Sequence, residues 1–336
     1  MAETAEPRTA PALRWGVLAP GGIARTFATA VAGHTQARVV AVGSRSLDRA
    51  ERFASEFGVP AAYGDYRSLV EDPQVEAVYV ASPHSEHHEH ALLAIAAGKH
   101  VLVEKAFAAS SAQASEMVEA ARSAGTFLME AMWTRHLPHV AALRDVIARG
   151  EIGEVVAVLA DHGQNMNHHP ATHRLHNPDL AGGALLDLGV YPVSFAHDLL
   201  GVPDRIHATG SLTPTGVDGQ LSIALGFGER AQASLHTTLW AKTATTAVVA
   251  GTLGRIEVAG DFYGTTSFRV IPLDGEPWTY EHPVDGGFQY EIAEVARCVA
   301  AGATQSERMT WQDTLDVMRT MDEIRRQAGV VYPGEA

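Results

Sequence analysis

Strand and helix signals alternate strictly along the N-terminal third of the chain, and this feature narrows the fold more than any other. Residues 14–19 are a short apolar run ending in Pro20-Gly21-Gly22, and residues 23–32 then read as helix. The next strand is 37–42 and the next helix 48–57, stopped by Gly58 and Pro60. A third apolar run covers 75–81, followed by a helix over 85–97 that Gly98 closes. Strand 100–104, helix 112–124 and strand 126–129 complete the series. Such alternation predicts a parallel sheet with helices on both faces. Right-handed crossovers bring the carboxyl ends of the strands to one edge, where ligands bind.

The pattern changes beyond Pro138. After a helix over 140–148, Thr- and Val-rich runs at 155–160, 206–210, 220–227, 230–239, 245–250 and 255–258 are separated by glycine-containing turns. They predict a largely antiparallel open sheet, interrupted by a helix over 185–200 and followed by helices at 289–301 and 311–327. At roughly 100–200 residues per domain, a chain of 336 residues should form two domains. The expected class is α/β, a doubly wound Rossmann sheet plus an α+β domain. The expected division is a disordered tail over 1–13, a dinucleotide-binding domain over 14–135 and a substrate-binding and oligomerisation domain over 136–336. The C-terminal helix is expected to pack back on the first domain.

Composition removes several classes of function. The formal net charge is -14, which disfavours a nucleic-acid partner. No apolar run approaches the roughly 20 residues that span a bilayer, so no membrane partner is expected. The start of the chain is polar and lacks a basic segment followed by an apolar core. No signal peptide is expected, and the expected compartment is the cytoplasm. The one cysteine, Cys298, has no partner for an internal disulfide and sits in a helical context that suggests packing.

The first strand–turn–helix reads Gly16-Val17-Leu18-Ala19-Pro20-Gly21-Gly22-Ile23-Ala24. In a dinucleotide fingerprint one small residue makes the turn, a second lets the backbone approach the pyrophosphate, and a third lets helix and strand pack closely. Ala19, Gly21 and Ala24 occupy those places, with Gly22 and Ile23 at the helix N-terminus that would face phosphate. A glycine-bearing connection with no ligand is the other reading. At the end of the second strand stands Gly43-Ser44-Arg45-Ser46, with Arg49 one turn on, and no acid for a ribose 2′-hydroxyl. Ser44, Arg45 and Arg49 favour a 2′-phosphate, hence NADP(H) over NAD(H), although a solvated Arg45 fits the same letters.

Two places carry candidate chemistry. Glu104-Lys105 ends an apolar strand on the ligand edge, and a lysine half-buried near a cationic ring would have a lowered pKa. A strand-end lysine in water is the alternative. The second place is Gly182-Gly183-Ala184-Leu185-Leu186-Asp187-Leu188-Gly189-Val190-Tyr191, which puts Asp187 and Tyr191 four apart on one helical face. The alternative is a helix-dipole acid beside a half-buried tyrosine. Histidines cluster at His84, His87, His88 and His90, and again at His162, His168, His169, His173 and His176. No cysteine or acid pair completes a tetrahedral set with them, so no metal is expected. The second group lies in a polar stretch that either lines a substrate cleft or is solvated, and Arg174 within it is a candidate for substrate hydroxyls.

With these motifs the chain resembles the Gfo/Idh/MocA oxidoreductases from Arg14 to Pro333. The resemblance rests on 16–24, on Ala81-Ser82-Pro83-His84-Ser85-Glu86-His87, on Ala97-Gly98-Lys99-His100-Val101-Leu102-Val103-Glu104-Lys105, and on 182–191. Phe127-Leu128-Met129-Glu130-Ala131-Met132-Trp133-Thr134-Arg135 is similar to the dimeric dihydrodiol dehydrogenase and NADP D-xylose dehydrogenase branch. The resemblance implies cofactor contacts at Ser82, His84, His87, Glu104 and Lys105. It implies an acid–base pair of Lys105 and Tyr191 and a substrate pocket of Trp133, Arg135, Arg174, Asp187 and Tyr191. It also implies NADP(H) with a sugar, polyol or dihydrodiol as substrate, and a homodimer or higher homo-oligomer through the C-terminal sheet. Two other activities fit: a glycoside 3-dehydrogenase or ketoreductase, and a cofactor-binding sensor. The family's Glu-Lys-Pro is here Glu104-Lys105-Ala106, and many relatives have histidine where this chain has Tyr191.

Overall fold

The computed structural model describes residues 5–333, which form two units. The first comprises Ala5–Trp133 and Gly286–Leu315. Its elements run β1 (Arg14–Leu18), α1 (Gly22–His34), β2 (Arg38–Gly43), α2 (Leu47–Phe57), β3 (Ala61–Tyr63), α3 (Tyr66–Glu71), β4 (Ala77–Val80), α4 (His87–Ala96), β5 (His100–Glu104), α5 (Ser111–Ala124) and β6 (Leu128–Ala131). All six strands are parallel, in the order β3-β2-β1-β4-β5-β6. β4 is buried along its whole length and β1 everywhere but Arg14, which is why both read as unbroken apolar runs. The helices stop where sequence chemistry stops them: Gly58 and Gly125 take the left-handed conformation after α2 and α5. Because β1 pairs with both β2 and β4, the chain order reverses at its carboxyl end, the place where doubly wound sheets bind ligands.

The second unit takes in Thr134–Asp285 and the chain from Asp316. It contains α6 (Pro138–Ala148), β7 (Val155–Gly163), a π turn at Leu185–Gly189, α7 (Val190–Leu200), β8 (Arg205–Leu212), β9 (Asp218–Phe227), β10 (Ala231–Thr238), β11 (Ala247–Gly251), β12 (Gly254–Val258), β13 (Phe268–Pro272) and β14 (Trp278–Tyr280). The eight strands lie in the order β14-β13-β12-β11-β7-β10-β9-β8. Every pairing is antiparallel except β7 with β10. α7 packs on β7 and β10. Side chains alternate along the strands, so Leu159, Ser222, Ala224, Gln232 and Ser234 remain exposed.

Three boundaries differ from expectation. The break falls after Trp133, so Thr134 and Arg135 group with the second unit. Helix α8 (Gln289–Ala300) belongs to the first unit, because Ile292, Ala293, Val295 and Ala296 are buried and the helix packs on α1. The last helix, α9 (Trp311–Ala328), begins with the first unit, where the Trp311 indole donates to the Leu128 carbonyl at 2.9 Å. Of the segment expected as a tail, residues 1–4 lie outside the described residues. From Ala5 the chain is packed: Pro7, Ala10 and Leu13 are buried, and Arg297 donates to the Glu6 carbonyl at 2.8 Å. The short elements β3, α3, β13 and β14 give too few residues for a periodic signal, and sequence reading passes over them.

Candidate active site

In the first unit the carboxyl end of β1 meets α1 in a turn built by the predicted residues. Ala19 has φ 68°, and its N–H donates to the Gly43 carbonyl at 3.0 Å, while Gly21 donates to the Ala19 carbonyl at 2.8 Å. A β-carbon on Gly21 or Gly22 would meet nothing within 4 Å, so space is open above the turn. Ala24 is fully buried, as close helix–strand packing requires. The first N–H groups of α1, from Gly22 and Ile23, have no partner within the helix, the arrangement by which helix starts can receive an anion. Open space over two glycines and these donors fit a dinucleotide pyrophosphate.

At the end of β2, Ser44 is buried, and its hydroxyl accepts from the Ser46 N–H at 3.3 Å. Arg45 is exposed and pairs with Glu86 at 3.0 Å. Arg49 is exposed one turn into α2. These are cationic donors of the kind a 2′-phosphate needs, and beside Arg45 stands a carboxylate, Glu86, that no local motif points to.

Beyond β4 the structure revises two expected contacts. The His87 ring is completely buried and lies between the Ser82 carbonyl (2.8 Å) and the Ala106 carbonyl (2.9 Å). Burial pushes its pKa down to about 4, so the ring is neutral and donates its single N–H to one of them. His87 therefore ties the β4 loop to the residue after Lys105 and is closed to a ligand. Ser82 also bonds through its hydroxyl to His90 at 2.9 Å, and His84 packs edge-on against His87.

Glu104 is also buried. It accepts from the Tyr79 hydroxyl and from the Lys105 N–H at 3.2 Å, and Tyr79 stacks on Phe27 of α1 at 3.9 Å. Glu104 thus anchors the strand end that presents Lys105. Glu291 on α8 is fully buried, and its carboxyl is held well above the usual range, first by burial and then by the charge of Glu104. Lys105 is half-buried, the Lys105–Ala106 peptide bond is cis, and Ala106 is fully buried. Trp133 packs against Phe288 at 4.9 Å. Cys298 is half-buried on α8, its thiol pushed up to about 12 by burial and Glu294, which suits packing.

In the second unit the Gly182-Gly183 turn is crowded. A β-carbon on Gly182 would come within 2.6 Å of the Arg174 carbonyl, and one on Gly183 within 2.1 Å of Asp218 Oδ1. Asp218 Oδ2 accepts from the Leu185 N–H at 2.6 Å, capping the π turn that carries Asp187. That turn is wider than the predicted α-helix, so Asp187 and Tyr191 are not a plain i,i+4 pair on one helix. Asp187 pairs with Arg174 at 3.0 Å. The Tyr191 ring lies 4.6 Å from Tyr263 and 5.5 Å from His162, which stacks on Tyr263 at 4.4 Å. Asp187 and Arg174 thus form an ion pair suited to holding hydroxyls, and Tyr191, His162 and Tyr263 form an aromatic cluster with a phenol and an imidazole able to exchange a proton. Tyr263 carries no sequence signal. Arg135 does not join them. It is buried, bonded to the Ser194 hydroxyl at 3.2 Å and placed 3.9 Å from Asp198, so it serves as a tether for α7.

Among the described residues no group of three or more His, Cys, Asp or Glu could hold a metal, and no helix is long and apolar enough to cross a membrane. Residues 13–132 match the profile of an oxidoreductase family with an NAD-binding Rossmann fold, and residues 140–257 match the Gfo/Idh/MocA C-terminal domain. The chain belongs to the Gfo/Idh/MocA oxidoreductase family. Its relatives include a D-xylose 1-dehydrogenase (NADP(+)) from Hypocrea jecorina, 38% identical over 96% of this chain and 93% of that one. A trans-1,2-dihydrobenzene-1,2-diol dehydrogenase from Mus musculus is 36% identical over 96% of this chain and 98% of its own. Among solved structures of the family, the 3-ketoreductase KijD10 from Actinomadura kijaniata, in complex with NADP and TDP-benzene, superposes with a TM-score of 0.86. It is 28% identical and covers 95% of this chain and 98% of its own.

Proposed function

We propose that the protein is an NADP(H)-dependent dehydrogenase or reductase acting at a hydroxyl or carbonyl carbon of a sugar, polyol or dihydrodiol. The observation that carries this reading is similarity along nearly the whole chain to an NADP(+) xylose dehydrogenase and to a dihydrodiol dehydrogenase, supported by the Asp187–Arg174 pair and the Tyr191 cluster. Bound nicotinamide supplies the hydride chemistry. The turn at Ala19, Gly21 and Gly22 with the start of α1 would hold its pyrophosphate, and Ser44, Arg45 and Arg49 its 2′-phosphate. Tyr191 takes the hydroxyl proton on oxidation and returns it on reduction. Lys105 supplies positive charge to steady the oxyanion. Asp187, held by Arg174, orients a neighbouring hydroxyl, and Trp133 offers a flat face to the substrate. The exposed side of the second sheet, with Leu159 48% exposed, supports self-association, which sedimentation velocity would read as a dimer or larger assembly.

Fluorescence titration with NADPH and NADH, followed by turnover of aldoses, polyols and dihydrodiols, tests the proposal. Lys105→Ala and Tyr191→Phe should each cut turnover by about 10²–10⁴-fold, the usual worth of acid–base assistance. NADPH binding should survive in both. Unchanged turnover would remove these roles, and absence of nucleotide binding would remove the whole reading.

A further inference from the structure

The stretch 164–178 contains His168, His169, His173, Arg174 and His176 and no acid, in a chain whose formal net charge is -14. Its histidine rings form a row. His168 and His169 lie 4.0 Å apart, His169 and His173 stack at 3.9 Å with 7° between planes, and His173 is 6.4 Å from His176. The row is braced by its own backbone. The His169 N–H donates to the Met166 carbonyl at 3.1 Å, His176 Nε2 bonds the same carbonyl at 3.1 Å, and Asn167 donates to the Trp240 carbonyl at 2.9 Å. His168 is exposed, and His169 and His173 are half-buried. The row leads to Arg174 and through it to Asp187, the residue assigned to substrate hydroxyls.

Stacked imidazoles that face one another and an arginine cannot all be charged without a counter-ion. His169 is held below its usual pKa by loss of hydration and by His168, His176 and Arg174. His173 is lowered by burial, His169, Arg174 and His176, with only Asp187 opposing. A multiply charged oxyanion laid on the row would supply the missing counter-charge and take up protons as it bound. A divalent metal does not suit the row, since no three of its groups converge.

We propose that residues 168–176 form an anion-recognition row, and that the substrate is a sugar bearing a phosphoryl group, its charge on His169 and His173 and its hydroxyls toward Arg174 and Asp187. The phosphoryl group belongs either to a sugar phosphate or to a nucleotide-linked sugar. This inference rests on the sugar oxidoreductase reading above.

Inorganic pyrophosphate tests the row independently of turnover. Calorimetric titration with NADP(H) saturating, so that the dinucleotide site is filled, should show binding that tightens about tenfold per pH unit for each proton taken up as pH falls from 8 to 6. A His169→Gln/His173→Gln variant that still binds NADPH should lose that binding. No pyrophosphate binding at pH 6, or equal binding by the variant, overturns the row. The substrate class is then read from kcat/KM for glucose, glucose 6-phosphate and UDP-glucose. A preference of about tenfold or more for a charged probe, collapsing in the variant, supports the proposal, and which probe is preferred tells monoester from diphosphate. Turnover of glucose with no such preference overturns the substrate class and leaves the oxidoreductase reading standing. No turnover of any of the three probes, with pyrophosphate still bound, overturns the substrate class, and the oxidoreductase reading is then decided by the panel of aldoses, polyols and dihydrodiols above.

Discussion

Replacing Gly183 by alanine perturbs the start of the π turn that carries Asp187 and leads into α7 with Tyr191, without changing either side chain. Gly183 has φ 120°, a region that L residues occupy at a cost of about 1–3 kcal/mol. The added methyl would also stand 2.1 Å from Asp218 Oδ1. Asp218 is fully buried and accepts from the Leu185 N–H at 2.6 Å, so it can yield only by giving up that bond. An unsatisfied buried donor costs a further 1–3 kcal/mol or so. The expected loss is therefore about 2–6 kcal/mol, a large part of a typical stability of about 5–15 kcal/mol. Urea unfolding followed by tryptophan fluorescence measures it, and steady-state turnover should fall as the π turn shifts. A loss below about 1 kcal/mol, the size of an ordinary substitution, would show that the turn relaxes freely and that Asp218 does not fix the helix start.

Gly21→Ala is the contrasting case, since its methyl meets no protein atom within 4 Å. Stability should stay within about 0.5 kcal/mol, while NADPH affinity falls about tenfold or more because the methyl stands where the pyrophosphate must approach; unaltered NADPH titration would remove the phosphate from this turn. Arg45→Ala should weaken NADPH binding about ten- to hundredfold, the worth of a charge-assisted bond, and leave NADH binding nearly unchanged, whereas equal losses would show that Arg45 does not read the 2′-phosphate. Burial pushes the Asp218 carboxyl up to about 7 against about 3.9 in an unfolded chain. The stability from its neutral form is complete below the unfolded value and drains as pH rises through about 7, on the order of 4 kcal/mol in all. Asp218→Asn should flatten that decline between about pH 4 and 7 in urea unfolding, and parallel curves for the two proteins would contradict the assignment.

Much of the first unit was legible because its signals are local. The β5 strand spans His100–Glu104 as the apolar run suggested, and α2 stops at Gly58 because a left-handed residue ends a helix whatever surrounds it. The fingerprint turn and the Arg45 position follow from the same short-range logic, and the motif at 97–105 is the most specific of the four stretches that carry the family resemblance. The group around Tyr191 was half legible: Asp187, Tyr191 and Arg174 stand in recognisable strings, and the structure brings Arg174 to Asp187 across thirteen residues.

The remainder depended on pairings that no local pattern encodes. Asp218 caps Leu185 from 33 residues away, and Tyr263 reaches Tyr191 from another part of the chain. Arg135 looked like a pocket residue from its motif, but burial against Ser194 and Asp198 makes it a tether. His87 and Glu104 looked like cofactor contacts, but the carbonyls and the Tyr79 hydroxyl around them occupy their polar atoms. The sequence by itself determined the order of the longer elements, the tight glycine turn between β1 and α1 and the residues able to do chemistry, because these follow from periodicity and side-chain type. Tertiary structure alone decided which of those residues face open space and which are spent holding the scaffold, because a polar group taken out of water must find its partner wherever the fold brings one.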